Sequence, residues 1–210
     1  MNIVTVSEMK EIERLANESL LSYYCMMENA GNRSYELIIS EYPETNSLII
    51  FCGKGNNGGD GLVVARLAAN DHKKVHIILV EGIPVTEDAL TNYNKLPDSV
   101  EISHINEIDE KIIDMISDKT VIVDALYGTG FHGELREEGK KACNIINSIN
   151  CPIISLDIPS GINADTGFPC QDAVKATITV VFHAYKNAHI KTQICGQCKL
   201  VDIGIDKNKI

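Results

Sequence analysis

A glycine-rich segment at residues 53–61 constrains the fold of this chain more than any other part of the sequence. It reads Gly-Lys-Gly-Asn-Asn-Gly-Gly-Asp-Gly, follows the apolar run 48–52 and precedes an amphipathic helical pattern over 62–68. A strand, a glycine-rich turn and a helix in this order present backbone N–H groups and the positive end of a helix dipole to an anion. The segment therefore predicts a phosphate-binding turn between a strand and a helix.

Two other interpretations of this segment are less favoured. No Lys-Ser or Lys-Thr pair follows the turn, which argues against the loop of a nucleoside triphosphatase. A turn without a ligand is the second alternative. Five glycines in nine residues, however, cost backbone entropy that a plain turn does not require.

Apolar strand-like runs alternate with helical patterns along most of the chain. The patterns predict strands at 47–52, 74–80, 120–123, 152–156, 177–182 and 198–203, a weaker strand near 100–103, and helices near 60–70, 86–95, 107–117 and 134–149. Two further helical patterns, one capped by Ser7 and one over 23–39, come first. This order predicts an α/β fold, a Rossmann-like three-layer sandwich with a mostly parallel central sheet and helices on both faces. The length fits a single domain over 1–210.

The charge and cysteine content exclude several classes of function. The net charge is −10, from 19 basic and 29 acidic residues, which argues against non-specific binding to nucleic acid or to an anionic membrane. No apolar run approaches the ~18 residues of a membrane span, and the first residues resemble a helix start rather than a secretory signal. The seven cysteines are scattered, unlike a disulfide framework. We therefore expect a cytoplasmic protein with no nucleic-acid and no membrane partner.

Cys195 and Cys198 form an isolated Cys-x-x-Cys pair. A zinc site needs two more ligands, for which His183 and His189 are available. The pattern favours a simpler interpretation, in which residues 196–197 are a two-residue hairpin turn with glycine at its first central position.

Two further loops follow predicted strands. Asp124 ends one strand and begins a second glycine-rich segment, and Asp157 ends the next strand shortly before Ser160. Ligands of open α/β sheets bind at the carboxyl ends of the strands, so we expect both aspartates to share one rim with the first loop. Aspartates also cap turns at strand ends. Two of them beside glycine-rich turns nevertheless favour a site for an anion with acid–base or metal chemistry.

The residue types at this rim limit which metal can bind there. The histidines and cysteines lack transition-metal spacing, and His132 and His183 are explained as well by surface or hydrogen-bonded positions as by catalysis. A metal would meet oxygens of Asn57, Asp124, Ser160 and backbone carbonyls. One carboxylate among neutral oxygens suits a hard, weakly charged cation better than zinc.

Three motifs in this order carry a resemblance to a known family. They are Gly-Asn-Asn-Gly-Gly-Asp-Gly at 55–61, Asp-Ala-Leu-Tyr-Gly-Thr-Gly at 124–130 and Asp-Ile-Pro-Ser-Gly at 157–161. Met-Glu-Asn-Ala-Gly at 27–31 and Val-Asp-Ile-Gly-Ile at 201–205 extend the match. The chain resembles the NAD(P)H-hydrate epimerases, the family of the YjeF N-terminal domain, over nearly its whole length.

The resemblance implies an enzyme that interconverts the R and S epimers of hydrated NADH or NADPH, so that a dehydratase acting on the S form can restore the cofactor. It implies a potassium ion held by Asn57, Asp124 and Ser160, a homodimer, and a dehydratase that is either separate or fused. It makes Asp157 the catalytic residue. The substrate-binding residues that it implies are Asn56, Asn57, Gly58, Gly59, Asp60, Gly128, Thr129, Gly130, Phe131, His132, Gly133, Glu134 and Asp157.

The reaction at ring carbon 6 suits a carboxylate. Loss of the hydroxyl, assisted by the ring nitrogen, gives a planar iminium to which water returns on either face. Asp157 can give and take the proton and can stabilise the cationic ring. A ring-opening route would use the same carboxylate, and the sequence does not separate the two routes.

Other features leave alternatives open. The segment 181–189 keeps a lysine, Lys186, where the family often has one, but its neighbours differ from the glycine- and proline-containing family pattern. A dehydrogenase would need a second substrate region for which the chain has little room. A non-catalytic binding module, like the related domain of RNA-processing proteins, is the remaining alternative, and the retained Asn57, Asp124, Asp157 and Ser160 favour the enzyme. The preference between NADH and NADPH hydrates stays open.

Overall fold

The computed structural model describes residues 3–19, 21–108 and 116–206, and these residues form a seven-stranded sheet. The strands are β1 Ser47–Cys52, β2 Lys74–Leu79, β3 Glu101–His104, β4 Thr120–Ala125, β5 Ile153–Leu156, β6 Ile178–Phe182 and β7 Gln197–Val201. Their spatial order is β3-β2-β1-β4-β5-β6-β7, and every pairing of neighbours is parallel. The predicted α/β class and parallel sheet are confirmed.

Helices cover both faces of the sheet, as predicted. They are α1 Val6–Glu18, α2 Tyr23–Glu41, α3 Asn56–Asn70, α4 Glu87–Tyr93, α5 Glu137–Ser148 and α6 Ala188–Lys191, with short 3-10 helices at Ile105–Glu107 and Gln193–Cys195. The predicted helix near 107–117 falls largely on 109–115, which lie outside the described residues. Within the described ranges, no helix is both long and apolar enough to cross a bilayer.

Strand β1 shows why the sheet needs cover on both sides. Its six residues are all buried, and successive side chains point to opposite faces. Ile50 packs into a core that α1, α2 and α3 complete, whereas Phe51 packs into a second core that α5 completes. The apolar faces of α1 and α2 are thus covered within the chain, so their burial does not itself require a partner subunit.

Three local predictions are wrong. Helix α3 begins at Asn56 rather than near residue 60, because the Asn-Asn-Gly-Gly stretch forms its first turn just after the carboxyl end of β1 despite low helix propensity. Helix α1 is capped by Thr5, which forms a reciprocal capping box with Glu8, and not by Ser7. Residues 196–197 do not form a hairpin, since β7 runs parallel to β6 after a crossover through α6.

Strand order places the predicted site residues at one rim. The chain moves outward in opposite directions from β1 and β4, which makes the space above their carboxyl ends the topological switch point of the sheet. Phe51 of β1 pairs with Asp124 of β4, and Asp124 pairs with Ser155 of β5. The loops after β1, β4 and β5 therefore meet above three adjacent strands.

Candidate active site

A cavity of about 580 Å³ opens at this rim. Ten of the predicted site residues line it, namely Asn56, Asn57, Asp60, Gly128, Thr129, Gly130, Phe131, His132, Glu134 and Asp157. Three basic side chains, Lys10, Lys54 and Arg136, also line it, and the acidic lining residues are Glu13, Asp60, Glu81, Glu134 and Asp157. Arg136 lies 3.7 Å from Glu81, so Lys10 and Lys54 are the basic groups without an acidic partner among the described residues. Another cavity, of about 500 Å³, lies at the amino ends of the strands, around Ser47 and Lys74. None of the predicted site residues lines it.

The glycines of the first loop are needed mainly for packing. A Cβ at Gly58 would lie 1.9 Å from the carbonyl oxygen of Gly53, and one at Gly59 would lie 2.6 Å from Met27 Sδ. Both residues are buried, and neither they nor Gly133, three of the predicted binding residues, line the cavity. Gly55 differs, because a Cβ there would have no neighbour within 4 Å. Gly55 is the N-cap of α3, so it leaves the N-terminus of this helix open toward the cavity.

The first two loops contact each other through Asn57. A Cβ at Gly128 would lie 3.2 Å from Asn57 Oδ1, a tight contact that would require Asn57 to shift by a few tenths of an ångström. The Nδ2 group of Asn57 is buried without a hydrogen-bond partner among the described residues. A buried amide without a partner is unusual in a folded protein and is typical of a place where a ligand completes the site.

Asp124 connects the second and third loops through neutral donors. Its Oδ1 accepts from Ser160 Oγ at 2.6 Å, and its Oδ2 accepts from Ser155 Oγ at 2.8 Å and from Ser160 N at 2.9 Å. Ser160 Oγ in turn accepts from Tyr127 N at 2.9 Å. Burial raises the pKa of Asp124, and the hydrogen bonds from Ser160 and Ser155 oppose that rise. No Lys or Arg in the described part of the chain pairs with this fully buried carboxyl group.

Asp157 differs because a buried lysine pairs with it. Lys186 Nζ donates to Asp157 Oδ1 at 2.6 Å and to the carbonyl oxygen of Phe182 at 3.0 Å. Lys186 is 1% exposed and Asp157 is 7% exposed. Asp157 has φ 61°, a left-handed conformation that is rare outside glycine and that is often found at functional sites. The chain turns sharply here, which places the carboxylate under the cavity.

His189 fixes the backbone around this ion pair. Its Nδ1 accepts from Lys186 N at 2.9 Å, and its Nε2 lies 2.6 Å from the carbonyl oxygen of Asp157. A backbone N–H only donates, so Nδ1 carries no proton and Nε2–H donates to Asp157. Burial lowers the pKa of His189, in agreement with this neutral form. His189 thus links the backbones of Lys186 and Asp157 and fixes the distance between them.

The Cys-x-x-Cys pair is not a zinc site in this structure. Cys195 Sγ donates to the carbonyl oxygen of Ala188 and Cys198 Sγ to that of His189, while both ring nitrogens of His189 are already hydrogen-bonded. No group of three or more His, Cys, Asp and Glu residues among the described residues has an arrangement that holds a metal ion.

The sequence does not predict the role of three residues of the site. It identifies Lys186 as a lysine of the family pattern and His189 as a residue available for zinc, and it does not single out Glu13. Lys186 lies 29 residues after Asp157, and Glu13 is on a helix that precedes the sheet. The sequence shows only that Glu13 stands beside apolar residues of the same helix, Ile12 and Ala16, which the structure buries.

Comparison with known proteins gives one consistent result. A family model described as YjeF-related protein N-terminus matches residues 24–188. The NAD(P)H-hydrate epimerase of Elusimicrobium minutum is 32% identical over 99% of this chain and 97% of that protein. The protein of the same name from Nitrosopumilus maritimus is 35% identical over 96% of this chain and 95% of its own length.

Two further comparisons concern a longer protein and a solved structure. The bifunctional NAD(P)H-hydrate repair enzyme of Moorella thermoacetica is 35% identical over the whole of this chain, which spans 42% of that protein's length. The crystal structure of yeast ynu0 matches 96% of this chain with a TM-score of 0.77 at 22% identity, which supports the fold.

Proposed function

The chain belongs to the family of YjeF-related protein N-termini, and we propose that it interconverts the R and S epimers of hydrated NADH and NADPH. The similarity to proteins named NAD(P)H-hydrate epimerase extends over nearly the full length of both chains. The observation that carries the proposal is the buried Asp157–Lys186 pair, which borders the same cavity as the N-terminus of α3. A dinucleotide has a reacting ring and a pair of phosphates. In this cavity the Asp157–Lys186 pair is available to the ring and the N-terminus of α3 to the phosphates.

The phosphates fit the N-terminal end of α3. The first N–H groups of this helix have no partner inside the helix, and the dipole adds positive charge there. Lys54 lines the cavity next to this turn, and Arg136 lines it from the start of α5. We propose that Asn56, Asn57 and Asp60 from the first loop and Gly128 to Glu134 from the second loop contact the dinucleotide.

The nicotinamide ring then lies over Asp157. Departure of the hydroxyl from carbon 6 leaves positive charge on the ring, and the negative charge of Asp157 stabilises it. Water returning to carbon 6 loses a proton, for which a carboxylate is a suitable acceptor. The ammonium group of Lys186 holds Asp157 Oδ1, which leaves Oδ2 as the oxygen available to the substrate.

Potassium is a further part of the proposal. The residues that would hold it are Asn57, Asp124 and Ser160, with backbone carbonyls of the second loop. The donor set fits in its chemistry, because Asp124 is a buried carboxylate without a cationic partner among the described residues and is hydrogen-bonded to the Ser160 hydroxyl. The Asn57 amide lies against the second loop at Gly128. When bound, the ion supplies positive charge that balances Asp124 next to the phosphate site.

Three features of the protein in the cell stay predictions. We propose that it works together with a dehydratase, either as a separate protein or in one chain, in view of the bifunctional relatives. We propose a homodimer, which light scattering at micromolar protein concentration will test. A cytoplasmic location is expected from composition alone.

The test of the proposed function uses the purified protein and a hydrate preparation enriched in the R epimer. We expect the epimer ratio, followed by chromatography, to reach equilibrium much faster than in a protein-free control, with no change in the oxidation state of the dinucleotide. A dinucleotide that binds while the ratio changes no faster than in the control would support a binding module. Oxidation or reduction of the ring would support a dehydrogenase.

A further inference from the structure

Glu13 lies in the site but belongs to none of its three loops. It is on α1 and lines the main cavity together with Asp60 and Asp157. It also lines a small adjoining cavity of about 90 Å³, where Asp60, Asp157 and Lys186 are its neighbours. A cavity of this size admits a small number of water molecules. Glu13 therefore shares with Asp157 a space in which a hydroxyl or a water can lie.

The carboxyl group of Glu13 has no hydrogen bond and no ion pair in the described part of the chain, in contrast to the other acidic residues of its helix. Glu8 is hydrogen-bonded to Thr5, and Glu11 is paired with Arg14 on the exposed side. Asp60 likewise has no partner in the described ranges and is 9% exposed. These two carboxyl groups face Asp157, whose charge is balanced by Lys186.

The titratable groups around Glu13 come from six places in the fold. They are Lys10 on α1, Tyr23 on α2, Asp60 on α3, Asp88 on α4, Asp157 after β5 and Lys186 before α6. Burial raises the pKa of Glu13 to about 7, and the charge of Asp157 adds to the rise while Lys186 and Lys10 oppose it. Burial, Asp157 and Glu13 together raise the pKa of Asp60. Near neutral pH, Glu13 can therefore both hold and release a proton on the side that faces Asp157.

The proposed reaction needs such a proton. The hydroxyl leaves from one face of the ring and water returns to the other, so one group must give a proton and another must take one. Asp157 has Oδ1 engaged by Lys186 and Oδ2 left for the substrate, so it can take the other proton. Two carboxyl groups on one cavity, with different partners, are a common arrangement for acid and base catalysis.

We propose that Glu13 is a catalytic residue, the proton donor to the departing hydroxyl, with Asp157 as the acceptor on the other face. This inference rests on the proposed function. The Glu13 proton moves to the hydroxyl oxygen, the bond from carbon 6 to oxygen breaks with its electron pair, and the ring nitrogen lone pair forms the iminium bond. A water then adds to the opposite face of carbon 6, and its proton passes to Asp157. No electron is gained or lost, and the reverse reaction exchanges the two roles.

Glu13→Gln tests this assignment, with Glu11→Gln on the exposed side of the same helix as the matched control. We expect Glu13→Gln to lower turnover by about 10²–10⁴-fold, the usual contribution of a positioned acid, and to change dinucleotide affinity little. The wild-type rate should fall as the pH rises above about 7, because the donor loses its proton, and this descending limb should disappear in Glu13→Gln. Glu11→Gln should behave like wild type. The enzyme-free rate is subtracted at each pH.

Two additional variants keep the outcome clear. Glu13→Gln replaces a carboxyl group that has no hydrogen bond or ion pair among the described residues by a neutral amide of the same size, so its thermal midpoint should not be lower than that of wild type. Glu13→Asp keeps a titrating carboxyl group and should keep the descending limb at a reduced rate. If Asp60→Asn, and not Glu13→Gln, loses that limb, the donor is Asp60 and the proposal for Glu13 is overturned.

Failure of this inference and failure of the proposed function give different results. A wild-type protein that epimerises, together with a Glu13→Gln variant of equal rate and equal pH profile, contradicts the role of Glu13 alone. A wild-type protein that binds the dinucleotide without changing the epimer ratio contradicts the proposed function, and the role of Glu13 with it.

Discussion

Asp124 and Asp157 occupy equivalent places at the ends of adjacent parallel strands, yet their surroundings differ. Asp124 is fully buried and held by the hydroxyl and N–H groups of Ser155 and Ser160. Asp157 borders the cavity and is paired with the Lys186 ammonium group. Asp124 has no cationic partner among the described residues and is suited to a bound cation. Asp157 has Oδ1 held by Lys186 and Oδ2 turned to the substrate side, so it is suited to contact the reacting ring.

Asp157→Asn gives the largest effect that this comparison predicts. The amide keeps the shape but neither accepts a proton nor carries charge, so turnover should fall by about 10²–10⁴-fold. Dinucleotide affinity should change much less, since the phosphates bind elsewhere. Steady-state kinetics and a separate binding titration measure the two effects. A variant that loses affinity and keeps turnover would assign Asp157 to binding instead.

Lys186→Met tests how strongly the buried ion pair between Lys186 and Asp157 stabilises the fold. The substitution leaves a buried carboxylate without its partner, which typically destabilises a protein by about 3–5 kcal/mol. Urea unfolding measures this loss. The double variant with Asp157→Asn should be more stable than the sum of the single effects predicts, because both charges are then absent. Additive effects would show that the two side chains do not interact.

Asp124→Ala should reduce stability for a different reason. It removes the acceptor of Ser155 Oγ, Ser160 Oγ and Ser160 N, and each buried donor left unsatisfied costs about 1–3 kcal/mol. Thermal unfolding checks this, and Ser155→Ala, which removes one donor from the same carboxylate, is the milder control. Asp124→Ala with an unchanged midpoint would contradict the view that this aspartate organises the second and third loops.

Potassium should give the smallest effect and should depend on Asp124. A bound cation stabilises the folded state according to its concentration relative to its dissociation constant, by about 2.7 kcal/mol at a hundredfold excess. We expect a higher thermal midpoint and tighter dinucleotide binding in potassium than in a large organic cation at equal ionic strength. Asp124→Asn should abolish the difference. Equal behaviour of the wild type in the two salts would remove the basis for the cation site.

The sheet could be predicted because its signal is local. Runs such as 48–52 and 75–80 are apolar enough to be buried on both faces, and the helical patterns between them imply a parallel sheet. The shared rim of Asp124, Asp157 and the first loop follows from that topology alone. The prediction that residues 48–52, 121–123 and 153–156 lie in one sheet is confirmed, since they belong to the adjacent strands β1, β4 and β5.

The remaining details depend on contacts between distant residues. Asn56 begins a helix because β1 and the neighbouring loops pack against the glycines that follow it, which outweighs local propensity. Nothing near Asp157 in the sequence shows that Lys186 pairs with it, and nothing near Glu13 shows that it faces a cavity between loops of the sheet. The chemical difference between the two strand-end aspartates is therefore visible only in three dimensions.

The most direct test compares Asp157→Asn with Asp124→Asn. The epimer ratio of R-enriched hydrate is followed by chromatography. Dinucleotide binding and thermal unfolding are measured on the same protein samples. We expect Asp157→Asn to have a lower thermal midpoint, because the buried Lys186 ammonium group loses its partner. It should bind the dinucleotide nearly as wild type does but equilibrate the epimers about 10²–10⁴-fold more slowly. Asp124→Asn should lose stability and its response to potassium while keeping more of the turnover. A wild-type rate of epimerisation in Asp157→Asn would contradict the account.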